Sequence, residues 1–154
     1  PRGEANPFYA WMRTGFAMFA GAARYPTVET FPHAVAIALR HPHRFARAYG
    51  FSGRYDLTLN EGDYHTLFYG YYDESLYFLM PSHFVPNLKP SKVLTQMRRL
   101  KITLVVGEDD AFHANNVELA KALAAKKIPH AFHAWCGTAH RFRYWRQMAR
   151  VYWP

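Results

Sequence analysis

Several features that decide the class of many proteins are scarce or missing in this chain. Its 154 residues contain one cysteine, Cys136, so no disulfide can form within the chain. The apolar stretch at 15–23 is far shorter than the roughly 20 residues that a membrane-spanning helix needs. The sequence has no internal repeat and no low-complexity tract. We therefore expect neither a disulfide scaffold nor a solenoid, and predict a cytoplasmic protein that has no membrane partner.

Acidic residues are also few, with 11 Asp and Glu against 19 Lys and Arg, which gives a formal net charge of +8. Such a balance favours anionic surfaces or substrates but does not define a fold. The basic residues are scattered, apart from a cluster that consists of Arg141, Arg143, Arg146 and Arg150. A nucleic-acid reader concentrates its basic side chains on one face beside aromatic stacking partners. We therefore predict no specific nucleic-acid partner.

Hydrophobic and aromatic residues are plentiful, at 50% and 18% of the chain. This composition and length suit one domain with a sizeable core, so we predict a single α/β domain over 1–154. Within it, the segment 1–32 has an atypical pattern, whereas 33–153 is regular.

The regular part alternates helix-like and strand-like patterns. Helical spacing is found in "HAVAIALRH" (33–41), "SKVLTQMRRL" (91–100), "HANNVELAKALAAKK" (113–127) and "RFRYWRQMARVYW" (141–153). Strand patterns are found in "FARAYGFS" (45–52), "KITLVVG" (101–107) and "IPHAFHAW" (128–135). The aromatic segment 54–90 is predicted to form loops and short turns. The alternation predicts a three-layer αβα fold with a mostly parallel sheet.

The same patterns predict which side chains of the three later helices face the core. They are Val93, Leu94, Met97 and Leu100 in the first, Val117, Ala120, Leu123 and Ala124 in the second, and Phe142, Trp145, Ala149 and Tyr152 in the last.

Reactive groups in a parallel sheet collect at the carboxyl ends of its strands. The loop "GEDDAF" (107–112) follows one predicted strand, and "CGTAH" (136–140) follows the next. Asp110 could there orient His140 through one ring nitrogen, while the other nitrogen takes a proton from a nucleophile. Glu108 and Asp109 are competing acids. An alternative is that these carboxylates only cap the helix that begins near His113.

The ordinary interpretation of a loop histidine is that it hydrogen-bonds a backbone carbonyl. No pattern distinguishes His41, His43, His65, His83 or His113, and neither His130 nor His133 has a metal-ligand spacing supported by cysteines or carboxylates. We therefore predict no metal site and no cofactor.

Four stretches together resemble a known family. They are "ALRHPHRFARAYGFSGRYDL" (38–57), "PSHFVPNL" (81–88), "VVGEDDAF" (105–112) and "WCGTAHRFRYWRQMARVYW" (135–153). They are similar to the carboxyl-terminal part of esterases of the α/β-hydrolase superfamily, the esterase D-like group. The resemblance covers about 33–153 and implies a partial α/β-hydrolase fold. It also implies hydrolysis of carboxylic or thiol esters through an acyl-enzyme, with Asp110 as the acid and His140 as the base.

One family feature is missing, because the sequence contains no Gly-x-Ser-x-Gly elbow. The family's serine lies just before the helix that starts here at His33, and the position nearest to it is Val28. Thr27 and Thr30 are the closest hydroxyls, without the glycines that expose a nucleophile. Ser52 in "GFSG" follows a strand, but we expect it to form a turn. The nucleophile is therefore unknown. We expect a fragment, an inactive relative (a pseudoenzyme), or a product whose start was replaced by unrelated sequence.

Two functions follow from these observations. The first is an esterase-like hydrolase that takes a small-molecule ester. The second is a non-catalytic α/β module for binding or assembly, which would self-associate through an open sheet edge.

Overall fold

A computed structural model of the protein describes residues 27–29, 33–60, 65 and 70–153. The apolar stretch at 15–23 and the hydroxyl of Thr30 lie outside the described residues. No helix in the described part of the chain is long and apolar enough to cross a membrane.

Within the described part of the chain, the sheet has four parallel strands in the order β1-β2-β3-β4. The strands are β1 (Thr27–Glu29), β2 (Arg47–Phe51), β3 (Lys101–Gly107) and β4 (His130–Trp135). The register pairs Phe51 with Val105, and Gly107 with Trp135, so three strands end at the same edge. The predicted parallel sheet is confirmed. The sequence did not predict β1, which is only three residues long.

Six α-helices and one short 3-10 turn are present among the described residues. They are α1 (His33–Arg40), α2 (Glu74–Leu79), α3 (Pro81–Phe84), the 3-10 turn Val85–Asn87, α4 (Lys92–Met97), α5 (His113–Ala125) and α6 (Phe142–Tyr152). The prediction of loops and short turns in 54–90 was wrong for most of 74–87, which is helical. The Asp73 carboxylate accepts a hydrogen bond from the Leu76 N–H and begins α2, and Pro81 occupies the first turn of α3.

The two faces of the sheet carry separate cores. On one face, Ile102 and Leu104 pack with Leu119 and Leu123 of α5 and with side chains of α1 and α4. On the other face, Tyr49, Phe51 and Val105 pack against Met148 and other side chains of α6. Side chains alternate between the faces of a strand, so β2 and β3 contribute to both cores. The predicted three-layer αβα fold is therefore confirmed.

Some of the predicted inward side chains point to solvent instead. Val93 and Ala124 are exposed, and Phe142 is 70% exposed at the start of α6. In α6 the fully buried side chain is Met148, while the four arginines in and just before this helix are exposed. The 3.6-residue spacing of apolar residues defines the centre of the buried helix face only to within about one residue. Neighbouring apolar positions match that spacing almost equally well.

The loops after β3 and β4 meet through their backbones. The Glu108 N–H donates to the Trp135 carbonyl (2.8 Å), and the Asp109 N–H donates to the Gly137 carbonyl (3.1 Å). This approach requires glycine at the end of β3, since a Cβ on Gly107 would lie 2.2 Å from the Thr138 carbonyl oxygen. The two loops therefore form one rigid unit at the carboxyl edge of the sheet.

We predict that Gly107→Ala destabilises the fold by about 3 kcal/mol, because its methyl group would overlap two backbone carbonyls. Gly137→Ala in the facing loop is the matched control. Gly137 has a φ of 79° and no atom within 4 Å of an added Cβ, so only backbone strain of about 1 kcal/mol is expected. Equilibrium urea unfolding measures both variants. Equal losses in the two variants would contradict the close approach at Gly107.

Candidate active site

Asp110 lies in the loop between β3 and α5, where its backbone and side chain fix the start of the helix. Its carbonyl accepts the His113 N–H (2.9 Å), and its Oδ1 accepts the Phe112 N–H (2.9 Å). Its side chain is fully buried, whereas Glu108 and Asp109, the competing acids, are exposed. Asp110 thus supplies acceptors just before α5, but the N-cap residue of that helix is Phe112, which makes no side-chain capping hydrogen bond, so the capping alternative is not confirmed.

The Asp110 carboxylate also faces His140. The His140 Nδ1 lies 3.1 Å from Oδ2 and 3.2 Å from Oδ1 of Asp110. The imidazole is half-buried and contacts two aromatic rings, with centroids 5.2 Å from Phe112 and 5.3 Å from Trp145. The structure therefore brings together the two residues that the strand-end argument selected, and their surroundings restrict the rotation of the histidine ring.

Two opposing influences set the charge of Asp110. Burial is the larger single influence and favours the neutral acid. The hydrogen bonds from His140 and from the Phe112 N–H, helped by the nearby Ser52 hydroxyl, favour the carboxylate and together outweigh burial. The pKa of Asp110 is consequently lowered below its usual value, so the side chain that faces His140 is a carboxylate.

Ser52 occupies a sharp turn directly after β2. Its φ is 52°, a left-handed conformation that side chains other than glycine seldom adopt, and its N–H donates to the Val105 carbonyl (2.8 Å). The residue is buried, and its Oγ is inaccessible and lacks a well-formed hydrogen bond, although it lies near enough to lower the pKa of Asp110. An inaccessible hydroxyl cannot attack a substrate in this conformation. The predicted turn is confirmed.

Two asparagines of α5 hold this turn in place. The Asn116 amide donates to the Gly53 carbonyl (2.6 Å) and to the Phe112 carbonyl (2.9 Å). The Asn115 Oδ1 accepts the backbone N–H groups of Tyr55 and Asp56. Both asparagines are buried. The sequence pattern did not predict this, because the inward face of this helix was expected to consist of apolar side chains. Adjacent asparagines in the first turn of a helix were the available signal.

Arg54 is a further residue of the site that was not predicted. Its guanidinium lies over the Phe112 ring, 5.7 Å from the centroid, on a ring that itself contacts His140. Its Nη2 donates to the carbonyls of Leu59 (2.6 Å) and His65 (3.0 Å). A buried cation thus connects the segment after β2 to the aromatic surroundings of His140.

The remaining candidates are placed as follows. Thr27 and Val28 belong to β1, where Val28 pairs with Tyr49, and residues 30–32 lie outside the described residues. The His130 Nδ1 lies 3.0 Å from a backbone carbonyl, and His133 stacks on Tyr152 with centroids 4.5 Å apart. Among the described residues no group of His, Cys, Asp and Glu is arranged to hold a metal ion.

Asp110 follows one parallel strand and His140 follows the next, and the two are hydrogen-bonded at the carboxyl edge of the sheet. The acid and the histidine of α/β hydrolases are arranged in the same way. Comparison with solved structures gives the same fold. The chain is similar to a ferulic acid esterase (18% identity, 77% of this chain and 44% of that chain, TM-score 0.61). It is also similar to FphF, a fluorophosphonate-binding serine hydrolase of Staphylococcus aureus (17% identity, 78% and 48%, TM-score 0.53).

A third similar structure is a puromycin-hydrolyzing peptidase of Mycobacterium tuberculosis (22% identity, 94% of this chain and 23% of that chain, TM-score 0.50). The chain spans less than half the length of each of these three proteins. No protein-family model and no curated protein sequence matches the chain. At these identities the comparisons establish an esterase-like α/β fold.

We predict that Asp110→Asn lowers the free energy of unfolding by about 2 kcal/mol near neutral pH, because a charge-assisted hydrogen bond to His140 is lost. Since the pKa of Asp110 is lowered in the folded state, its carboxylate stabilises the protein above the unfolded pKa. That contribution is lost as the pH falls below about 4. Urea unfolding at a series of pH values should show the wild type and the variant converging in acid. A difference that does not change with pH would contradict the linkage.

Proposed function

We propose that this chain provides the acid and the general base of an esterase D-like α/β hydrolase that acts on small-molecule carboxylic or thiol esters. The observation that carries the proposal is the contact of the His140 Nδ1 with both carboxylate oxygens of the buried Asp110. This contact assigns the ring proton to Nδ1 and directs the lone pair of Nε2 toward a reacting hydroxyl group.

The reaction requires a proton to move twice. Nε2 of His140 accepts the proton of the hydroxyl group that attacks the ester carbonyl, and Asp110 stabilises the imidazolium that forms. The same nitrogen then protonates the departing alkoxide or thiolate. The rings of Phe112 and Trp145 hold the imidazole in one orientation, so little motion is needed between the two transfers.

The attacking group is water in this proposal. The Ser52 hydroxyl is inaccessible, and the position before α1 lacks the serine and both glycines of the elbow. β1 ends at Glu29 and α1 begins at His33, so the chain has a strand followed shortly by a helix where the family has its elbow. Without a serine nucleophile, the binding and base functions alone give slow hydrolysis.

We predict that His140→Ala lowers kcat/KM by about a hundredfold for a short-chain alkyl ester, measured as acid release at constant pH. Asp110→Asn should lower it by at least about tenfold, because the ring loses its orienting carboxylate. Ser52→Ala and Thr30→Val should retain most of the activity, since water attacks. His43→Ala, at an exposed histidine, is the control. Hydrolysis that survives His140→Ala would remove the proposed base.

A second candidate is a non-catalytic module that assembles with a second copy of itself. β1 is at one edge of the sheet, and among the described residues no strand pairs with its outer side. An open edge strand provides hydrogen-bonding groups for another chain.

This second candidate predicts a dimer whose population rises with protein concentration, and no ester hydrolysis that depends on His140. Static light scattering over a hundredfold range of concentration, together with the His140→Ala assay, separates the two candidates. A monomer at every concentration would eliminate the assembly module.

A further inference from the structure

A second hydrogen-bonded row of titratable side chains lies in the segment between β2 and β3. His83, on α3, contacts Asp56 through its Nε2, which lies 2.8 Å from Oδ2. The other ring nitrogen, Nδ1, lies 2.7 Å from the phenol oxygen of Tyr72. None of these three residues contacts the acid–base pair of Asp110 and His140 in the interactions described above.

The contacts of Asp56 fix the proton positions along this row. Its Oδ1 accepts both the N–H (2.9 Å) and the hydroxyl (2.6 Å) of Thr58, which leaves Oδ2 for His83. Burial raises the pKa of Asp56, but the hydrogen bonds from Thr58 and His83 outweigh it and keep the pKa low. A carboxylate can only accept a proton, so the Nε2 of His83 donates and its Nδ1 accepts from Tyr72.

A nucleophile within hydrogen-bond reach of a base, with the base oriented by a third group, is the general arrangement of covalent catalysis. The exposed fraction of the side chains increases from the orienting acid through the base to the nucleophile. The side chains of Asp56 and His83 are 14% and 21% exposed, whereas Tyr72 is 48% exposed. The acid is thus shielded and the hydroxyl group is open to a reactant.

We propose that Tyr72 is an acyl-acceptor site, with His83 as its general base and Asp56 as the acid that orients the base. The phenol oxygen attacks the carbonyl carbon of an activated ester, and the Nδ1 of His83 takes the phenol proton. The bond from the carbonyl to the leaving group breaks, and the leaving group departs with that proton. An O-acyl tyrosine results, and no oxidant or reductant is needed.

The chemistry of the phenol limits the donors that this site can use. Burial, followed by the neighbouring Tyr77 and Asp56, raises the pKa of Tyr72, so its hydroxyl is neutral and needs a base. The product is an aryl ester, whose formation is favourable only if the departing group is about as acidic as a phenol or more so. Thiols and nitrophenols meet this condition, with thiol pKa values of about 8.5. Alkyl alcohols do not. The donors are therefore thioesters and activated aryl esters.

The experiment measures acetylation of the whole chain by p-nitrophenyl acetate, with peptide mapping by mass spectrometry over time. Tyr71 is an internal control, because it is 65% exposed and its hydroxyl bonds the Asp73 carboxylate (3.0 Å) instead of an imidazole. We expect Tyr72 to be acetylated at least about tenfold faster than Tyr71, which is a modest effect for a general base. Equal rates at the two tyrosines would overturn the proposal, and this comparison requires no variant.

The variant His83→Gln tests the base directly. Glutamine keeps an N–H donor near the position of Nε2, so the contact with Asp56 can persist while the acceptor at Nδ1 is lost. We expect the rate at Tyr72 to fall to that at Tyr71, and added imidazole to restore part of it. A rate at Tyr72 that is unchanged by His83→Gln, in protein whose circular dichroism matches the wild type, would overturn the proposal.

The acyl-acceptor proposal and the proposed esterase function can be contradicted independently of each other. His140→Ala should leave the acetylation of Tyr72 unchanged, since neither His140 nor Asp110 takes part in that step. Conversely, Tyr72→Phe should leave the hydrolysis of an alkyl ester unchanged. Loss of Tyr72 acetylation in His140→Ala would show that the reaction depends on the Asp110–His140 pair and would contradict a separate site.

Discussion

The backbone contact between the loops after β3 and β4 is the constraint on which the candidate site depends. Two amide hydrogen bonds join these loops, and the absence of a side chain at Gly107 lets them approach. Asp110 and His140 lie on either side of this junction, and so their distance is set by backbone geometry. Side-chain packing then only has to orient the imidazole, which Phe112 and Trp145 do. A polar pair held by backbone contacts keeps its geometry when surface side chains change.

The charge of Asp110 follows from the same construction. Removing a carboxylate from water is costly, and a lone buried acid would bind a proton. The loop supplies the Phe112 N–H from two residues along the chain, and the adjoining loop supplies the ring of His140. Together with the nearby Ser52 hydroxyl, these donors outweigh burial and lower the pKa of Asp110. The electrostatics of the site are therefore a consequence of the register between β3 and β4, because that register places the second donor.

The sequence was most informative where local periodicity and burial agree. The run of β-branched residues in β3 predicted its bounds, and the rule for parallel strand ends then selected Asp110 and His140 from 11 acids and 9 histidines. It was least informative in 54–90, where contacts join residues far apart in the chain. Asn115 bonds the backbone of Tyr55 and Asp56, a partnership that no periodic pattern encodes. His83 was grouped with histidines that have no pattern, because its partners at 56 and 72 come from two other turns.

A comparison of the two histidines shows how neighbouring groups fix the proton positions on each imidazole ring. His140 and His83 each have a carboxylate at one ring nitrogen, so each has a defined proton donor and a defined acceptor. They differ in where a nearby hydroxyl group lies. Tyr72 supplies an exposed hydroxyl to His83, while the buried Ser52 hydroxyl lies near the acid of His140 and not at the surface. In both proposals the orienting carboxylate determines which ring nitrogen acts as the base, and the position of a hydroxyl group determines whether the proposed nucleophile is a side chain or water.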